Sequence, residues 1–390
     1  MRRPVRVLIG AAAVLGALCL SVYWSDPWFW KRLVTFPRSA ALTAIDWYRP
    51  SEVVPGAPAR DIEIAAPERR SVSAPALDAA LSYATQTNSL ALLVWHRGAL
   101  QFERYWSGQD RNSRTDSGTM HATVLALLYG AAIEEGVVRS IDEPLATYLP
   151  EWRRDARAKI RVRDLLQMSS GLEIGAVSLN PWNRGLRLFL GGDITALALE
   201  VPLRADPGTR FEYSNVDAEL LGIVLQRASG KRYARYLSER LWSRLGAGSA
   251  AVWLDHESGM ARTFCCLQGS ARDWLAVGRL ILDKGRVGDE QVVPEAWIAA
   301  MLTPSAANAN FGLQLWLGNA AGGARRYNSK SPLRARQSEP FLAPDVAVLE
   351  GGGQRVYIVP SQQLVIVRIG VRRADWDDAK LPNAILRGVS

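Results

Sequence analysis

The sequence predicts a mixed α/β fold of the α+β kind, in which an antiparallel sheet flanked by helices is built from both ends of the main domain and a mainly helical part fills the middle. Two observations at the ends carry this. Ser89–Trp95 and Ala99–Trp106 are extended runs joined by His96-Arg97-Gly98, and Arg355–Val359 and Leu364–Ile369 flank Pro360-Ser361-Gln362-Gln363, so each pair reads as a β-hairpin. The third is the run of helical patterns between them, each closed by a glycine or a turn.

In order along the chain, Arg2, Arg3 and Arg6 precede an uncharged run from Val7 to Trp24. Eighteen helical residues span about 27 Å, close to the hydrocarbon thickness of a bilayer. Tyr23, Trp24, Trp28, Phe29 and Trp30 follow as an interfacial belt. Residues 1–24 are therefore expected to be a single-pass anchor in a bacterial inner membrane, with its basic flank cytoplasmic and the main domain periplasmic. A cleaved signal segment is the rival reading, and it also exports the domain. Residues 25–70, rich in Pro and Trp, are read as a membrane-proximal linker that wraps onto the domain, and residues 71–390 as the domain itself, with its helical part at about 120–265.

Within that domain, Ser73-Ala74-Pro75 starts a helix running to about Ala84, with Pro75 in its first turn. The second extended run alternates, Leu100 and Phe102 on one face and Gln101 and Glu103 on the other. Further helices are expected over Met120–Glu135, Arg161–Met168, Asp217–Ala228 and Ala271–Leu282, with Gly136, Gly171 and Gly230 as stop signals.

Composition narrows the function. The chain has 390 residues, 48% hydrophobic, enough for a large core, and no repeat of solenoid length. Its formal net charge is +9, but the arginines are scattered among acids rather than gathered on one face, which argues against a nucleic-acid partner. His96, His121 and His256 stand far apart and there is no HExxH or CxxC pattern, so no metal and no cofactor is expected. Cys265 and Cys266 are adjacent; two buried small residues are the favoured reading, and a vicinal disulfide the other.

Several runs occur together and in order: Gly130-Ala131-Ala132-Ile133-Glu134-Glu135-Gly136, Ile141-Asp142-Glu143-Pro144, Tyr148-Leu149-Pro150-Glu151-Trp152, Asp164-Leu165-Leu166-Gln167-Met168-Ser169-Ser170-Gly171-Leu172, Pro207-Gly208-Thr209-Arg210-Phe211-Glu212-Tyr213-Ser214-Asn215 and Gly351-Gly352-Gly353-Gln354. Singly, each is an ordinary helix or turn. As an ordered set they resemble the serine β-lactamase-related hydrolase family, in particular its 6-aminohexanoate-dimer-hydrolase-like and esterase-like branch, over roughly residues 70–390. The resemblance implies a β-lactamase-like antiparallel sheet flanked by helices plus a mainly helical subdomain, with the site between them. It also implies acyl transfer: a serine attacks an amide or ester carbonyl, while a lysine one turn later and a tyrosine of a Tyr-x-Asn loop handle its proton.

By the spacing from Gly130, the family's serine falls on Thr119 and its lysine on Ala122. The residues three before the six lysines are Trp28, Ala156, Ala228, Ile281, Tyr327 and Asp377, so no Ser-x-x-Lys exists anywhere in the chain. Tyr213 and Asn215 match the Tyr-x-Asn motif. The resemblance thus offers Thr119 and Tyr213 as catalytic positions and Asn215, Gly352, Gly353 and Gln354 as ligand-binding ones, with His121 as a substitute base and Ser117 as a displaced nucleophile as lesser alternatives. The expected function is a membrane-anchored, catalytically impaired relative, a pseudoenzyme that retains a cleft for a small amide, ester or peptide-like ligand. The alternatives are an active hydrolase of small amides or esters using Thr119, and a structural envelope protein in which the cleft has no job.

Overall fold

The computed structural model describes residues 20–37, 42–58, 62–175, 178–318, 323–330 and 334–389. Most of the apolar run assigned to an anchor lies outside them. Residues 20–25 are helical, and no helix among the described residues is long and apolar enough to cross a membrane.

The chain then runs through α1 (Pro27–Thr35), β1 (Ser51–Val54), α2 (Ala74–Gln86), β2 (Ser89–His96), β3 (Ala99–Tyr105), β4 (Arg114–Asp116) and α3 (His121–Glu134). The middle holds α4 (Val162–Leu166), α5 (Arg184–Leu190), α6 (Ile194–Leu199), α7 (Asn215–Ser229), α8 (Tyr233–Leu237), β5 (Ala250–Trp253) and β6 (Leu267–Ser270). The last third holds α9 (Ala271–Leu282), β7 (Arg286–Val287), β8 (Glu290–Gln291), α10 (Glu295–Met301), β9 (Trp316–Leu317), β10 (Gly323–Arg326), β11 (Arg334–Gln337), β12 (Ala347–Gly351), β13 (Gln354–Val359), β14 (Leu364–Gly370) and α11 (Lys380–Leu386).

The main sheet is antiparallel, in the order β3-β2-β14-β13-β12-β9. The two predicted hairpins meet at its centre, where β2 pairs with β14 from Val365↔Trp95 to Ile369↔Ala91. The turn of the first hairpin has Arg97 at φ 46° and Gly98 at φ 91°, the left-handed pair that a two-residue hairpin needs. Strands β13 and β14 are buried throughout because helices cover both faces. Helix α9 lies on one face, so close that a Cβ on Gly278 would come within 2.7 Å of Val365 and 2.9 Å of Val356. Its start is fixed by a reciprocal cap: Ser270 Oγ accepts from Asp273 N–H at 3.2 Å, and the Asp273 carboxylate accepts from Ser270 N–H at 2.8 Å. Helices α2 and α11 pair on the other face.

A second, four-stranded sheet, β1-β5-β6-β4, was not anticipated. Its strands are short and its registers long-range, so no local alternation announces it. Segment 25–70 supplies its edge strand, β1, paired from Ser51↔Trp253 to Val54↔Ala250, together with α1. Helix α4 is shorter than predicted, Val162–Leu166 rather than Arg161–Met168, since the Asp164 carboxylate caps Arg161 N–H at 2.8 Å and Met168 turns out of the helix at φ 54°. Cys265 and Cys266 are buried, as expected, but they form a vicinal disulfide rather than two free thiols.

Candidate active site

The two sheets converge on one turn. Strand β4 ends at Asp116, and the chain makes a tight turn through Ser117, Gly118 and Thr119 into α3. Gly118 sits at φ +52° and donates to Asp116 Oδ1 at 3.0 Å. The end of β12 lies directly against this turn. A Cβ on Gly118 would reach 2.9 Å from Gly351 C, and one on Gly351 would reach 2.0 Å from Ser117 O. Only a glycine pair permits that approach. It puts the Glu350 carbonyl where the Thr119 hydroxyl donates to it at 2.8 Å.

Tyr213 stands on the other side of Thr119, just before α7. Its N–H donates to Tyr327 O at 2.7 Å. Its ring stacks parallel to Trp316 (6.0 Å, 9°) and meets Phe311 and Tyr327 edge-on at 6.1 and 5.9 Å. The Tyr213 phenol reaches the Thr119 hydroxyl. Burial raises the Tyr213 pKa, and the nearby Glu350 adds to the rise against the opposing Thr119 hydrogen bond. The phenol therefore stays neutral, which suits a donor and not a base.

No amine enters this pair. Ala122, one helical turn from Thr119, is 2% exposed within the core. His121 points away, as its place two residues along the helix implies. Its Nδ1 is 2.6 Å from Cys265 O and its Nε2 2.8 Å from Tyr233 Oη. A carbonyl can only accept, so Nδ1 carries the hydrogen and Nε2 accepts from Tyr233. Burial pushes the imidazole down to about 4, against the raising effect of the Cys265 and Arg262 backbone. The ring is neutral, its lone pair is engaged, and it is a packing group. Ser117 Oγ donates to Gly118 O at 3.0 Å and is fully buried.

The glycine-rich turn between β12 and β13 is built by close approach. Gly352 has φ +61°, and a Cβ on Gly353 would meet Gly370 O at 2.1 Å. Gln354 is buried, and its amide donates to Asp116 O, tying β13 to the Asp116–Thr119 turn. Asn215 opens α7 half-buried, and its side-chain amide makes no hydrogen bond among the described residues. Of the residues singled out from sequence, then, Thr119, Tyr213 and Gln354 meet at the turn, while Gly352 and Gly353 shape the strand ends behind it.

Sequence reasoning missed the charged group on the far side of Glu350. The Glu350 carboxylate bonds Arg355 Nη2 at 2.9 Å, Arg325 Nη2 at 3.1 Å and the Tyr327 hydroxyl. Asp378 bonds Arg355 Nε at 2.8 Å and also Arg325. All four charged residues are under a tenth exposed. Burial alone would raise Asp378, but Arg355 and Arg325 outweigh it and hold the carboxyl below its ordinary value. The signal was available: Glu350 and Arg355 interrupt strands that are otherwise apolar, and a charge there needs a buried partner.

Comparison with known proteins gives the family and the fold. Residues 75–387 match the family model described as beta-lactamase. The 6-aminohexanoate-dimer hydrolase of Paenarthrobacter ureafaciens is 26% identical over 227 residues, 56% of this chain and 58% of that enzyme, so the match spans little more than half the length of that relative. Among solved structures, a 6-aminohexanoate-dimer-hydrolase-like protein from Bacillus anthracis superposes with a TM-score of 0.69 at 20% identity, covering 89% of this chain and 91% of that one. EstCE1, a hydrolase with promiscuous acyltransferase activity, gives 0.61 at 15% identity, over 81% and 98%. At these identities the superpositions establish the fold.

Proposed function

Because the chain belongs to the beta-lactamase family and carries its hydrolase fold, we propose that it keeps the family's cleft as a binding site for a small amide, ester or peptide-like ligand and has lost most or all of the acyl-transfer chemistry. The observation that carries this reading is the fate of the Thr119 proton. The hydroxyl donates to the Glu350 carbonyl, which cannot take a proton away. Ala122 brings no amine, and burial keeps the Tyr213 phenol neutral. General-base assistance is worth roughly 10²–10⁴ in rate, and an unassisted threonine hydroxyl is a poor nucleophile. The Thr119–Tyr213 contact is the one feature favouring an active hydrolase instead.

The test is to expose the purified full chain to a fluorophosphonate probe and to an activated ester, and to map any adduct by mass spectrometry. The expected result is no adduct on Thr119 and no turnover above the rate in buffer, with turnover appearing in the double variant Thr119→Ser, Ala122→Lys. An acyl or phosphonyl adduct on Thr119 of the unaltered protein overturns the reading.

The same proposal holds the domain at the periplasmic face of a bacterial inner membrane through residues 1–24. Two exposed apolar segments support it. Trp24 is 70% exposed, and Leu179 and Trp182 are 89% and 67% exposed. Arg187 brings the two segments to one face, donating to Pro181 O at 2.8 Å and pairing with Asp26 at 3.5 Å. Tryptophans so placed suit a lipid headgroup region. Release of the full chain from membranes by alkaline carbonate would sink this part.

A further inference from the structure

A cavity of about 450 Å³ opens between the Thr209–Phe211 segment, Trp316 and the Ala324–Arg326 strand. Phe211 and Trp316 form its apolar wall, and Asn308, Asn310, Arg325 and Arg326 supply polar groups. The Trp316 ring is the one that stacks on Tyr213, and Phe211 lies two residues before Tyr213. The cavity therefore shares the Trp316 ring with Tyr213.

Its cationic lining is unevenly compensated. Arg210 pairs with Glu212 at 3.1 Å. Arg326 is exposed and has no acidic partner among the described residues. Arg325 is 4% exposed, and only its Nη2 is engaged, by Glu350 and Asp378. Its Nε and Nη1 are buried and make no hydrogen bond. The guanidinium lies over the Trp316 ring at 4.8 Å, but stacking uses the face of the group and leaves its edge donors free. Buried N–H groups without partners are rare in folded proteins and costly to keep. Here they belong to a residue that lines an open cavity, next to a second arginine with no counter-charge and with no acid among the described lining residues.

We infer that this compartment is an acid-recognition subsite: it takes the carboxylate of a ligand whose apolar or amide-bearing body lies along Phe211 and Trp316 toward Thr119. The direction of the body rests on the ligand-binding reading above; the anion preference rests on the arginines alone. One uncompensated cation suits a singly charged carboxylate, whereas a phosphate dianion would remain half unpaired. Charge-assisted bonds to Arg325 and Arg326 would then set the ligand's polarity, its acidic end away from Thr119.

The experiment measures calorimetric binding of benzoylglycine and of its uncharged methyl ester to the full chain, at low and high salt. The expected result is that the acid binds about tenfold tighter than the ester and that the preference shrinks with salt. In Arg326→Gln, an exposed position, and in Arg325→Lys, which keeps the charge facing Glu350 and Asp378, the preference should fall to about twofold. Equal binding of acid and ester by the unaltered protein, or a preference unchanged in both variants, overturns the subsite and leaves the cleft reading standing. Binding of neither probe overturns both.

Discussion

Two regions share Glu350 and treat charge in opposite ways. Its carbonyl faces the Thr119 turn, where a hydroxyl, a phenol and an alanine meet and, among the described residues, no cationic group is present. Its carboxylate faces Arg325, Arg355 and Asp378, four buried ionised groups in mutual contact. The scaffold can therefore hold charge out of water a few bonds away from the position where a serine hydrolase would need it. What the turn lacks, among the described residues, is a particular amine.

The sharpest way to break that contrast is to unbalance the charged side. Asp378→Ala leaves Arg325 and Arg355 sharing one carboxylate, and removing one partner of such a group costs about 3–5 kcal/mol. Urea denaturation should show a drop of that order, larger than in Asp378→Asn, which keeps the hydrogen-bonding shape. A loss under 1 kcal/mol would mean the group is open to water.

Next in size is a pH effect from the neutral side. His121 is held at about 4 in the fold and returns to about 6.5 when unfolded. As pH falls the unfolded chain takes the proton first, so the stability tied to this ring is complete above about pH 6.5 and is lost between there and pH 4, by roughly 3 kcal/mol. Asp116, raised to about 6 by burial against the Gly118 N–H, works the other way, its contribution falling as pH rises from about 3.8 to 6. Denaturation midpoints across pH 4–7 for the parent, His121→Gln and Asp116→Asn should separate the two slopes. An acid slope unchanged by His121→Gln would refute the neutral assignment.

The smallest effect should come from the turn itself. Thr119→Val removes one hydrogen bond and keeps the shape, for about 1 kcal/mol. If the family's chemistry were intact, the same substitution would abolish ester turnover; here turnover should match the buffer rate before and after. The comparison is sharpest when both numbers come from the same preparation.

Much of this was legible in the sequence and some was not, for physical reasons. The central hairpins, α9 and α7 declare themselves through alternation, helical period and glycine stops, which are local. Thr119 and Tyr213 were legible as a pair only through the ordered motifs, and the structure brings them into contact. The four-stranded sheet was not legible, because Ser51–Val54 finds its partner some two hundred residues later. Nor was the role of Gly351, whose requirement comes from Ser117 O pressing on it. The disulfide of Cys265 and Cys266 was legible only as an alternative, since adjacency alone does not say whether two thiols join.

Arg32 of α1 is 2% exposed and donates to the carbonyls of Leu190, Gly191, Arg49, Leu254 and Asp255, all within 2.8–2.9 Å. With β1 sewn into the second sheet, the described residues 27–35 and 51–54 are thus fastened to the domain at both ends of the segment. A chain begun at residue 71 would therefore lose both the rivet and the strand that covers β5.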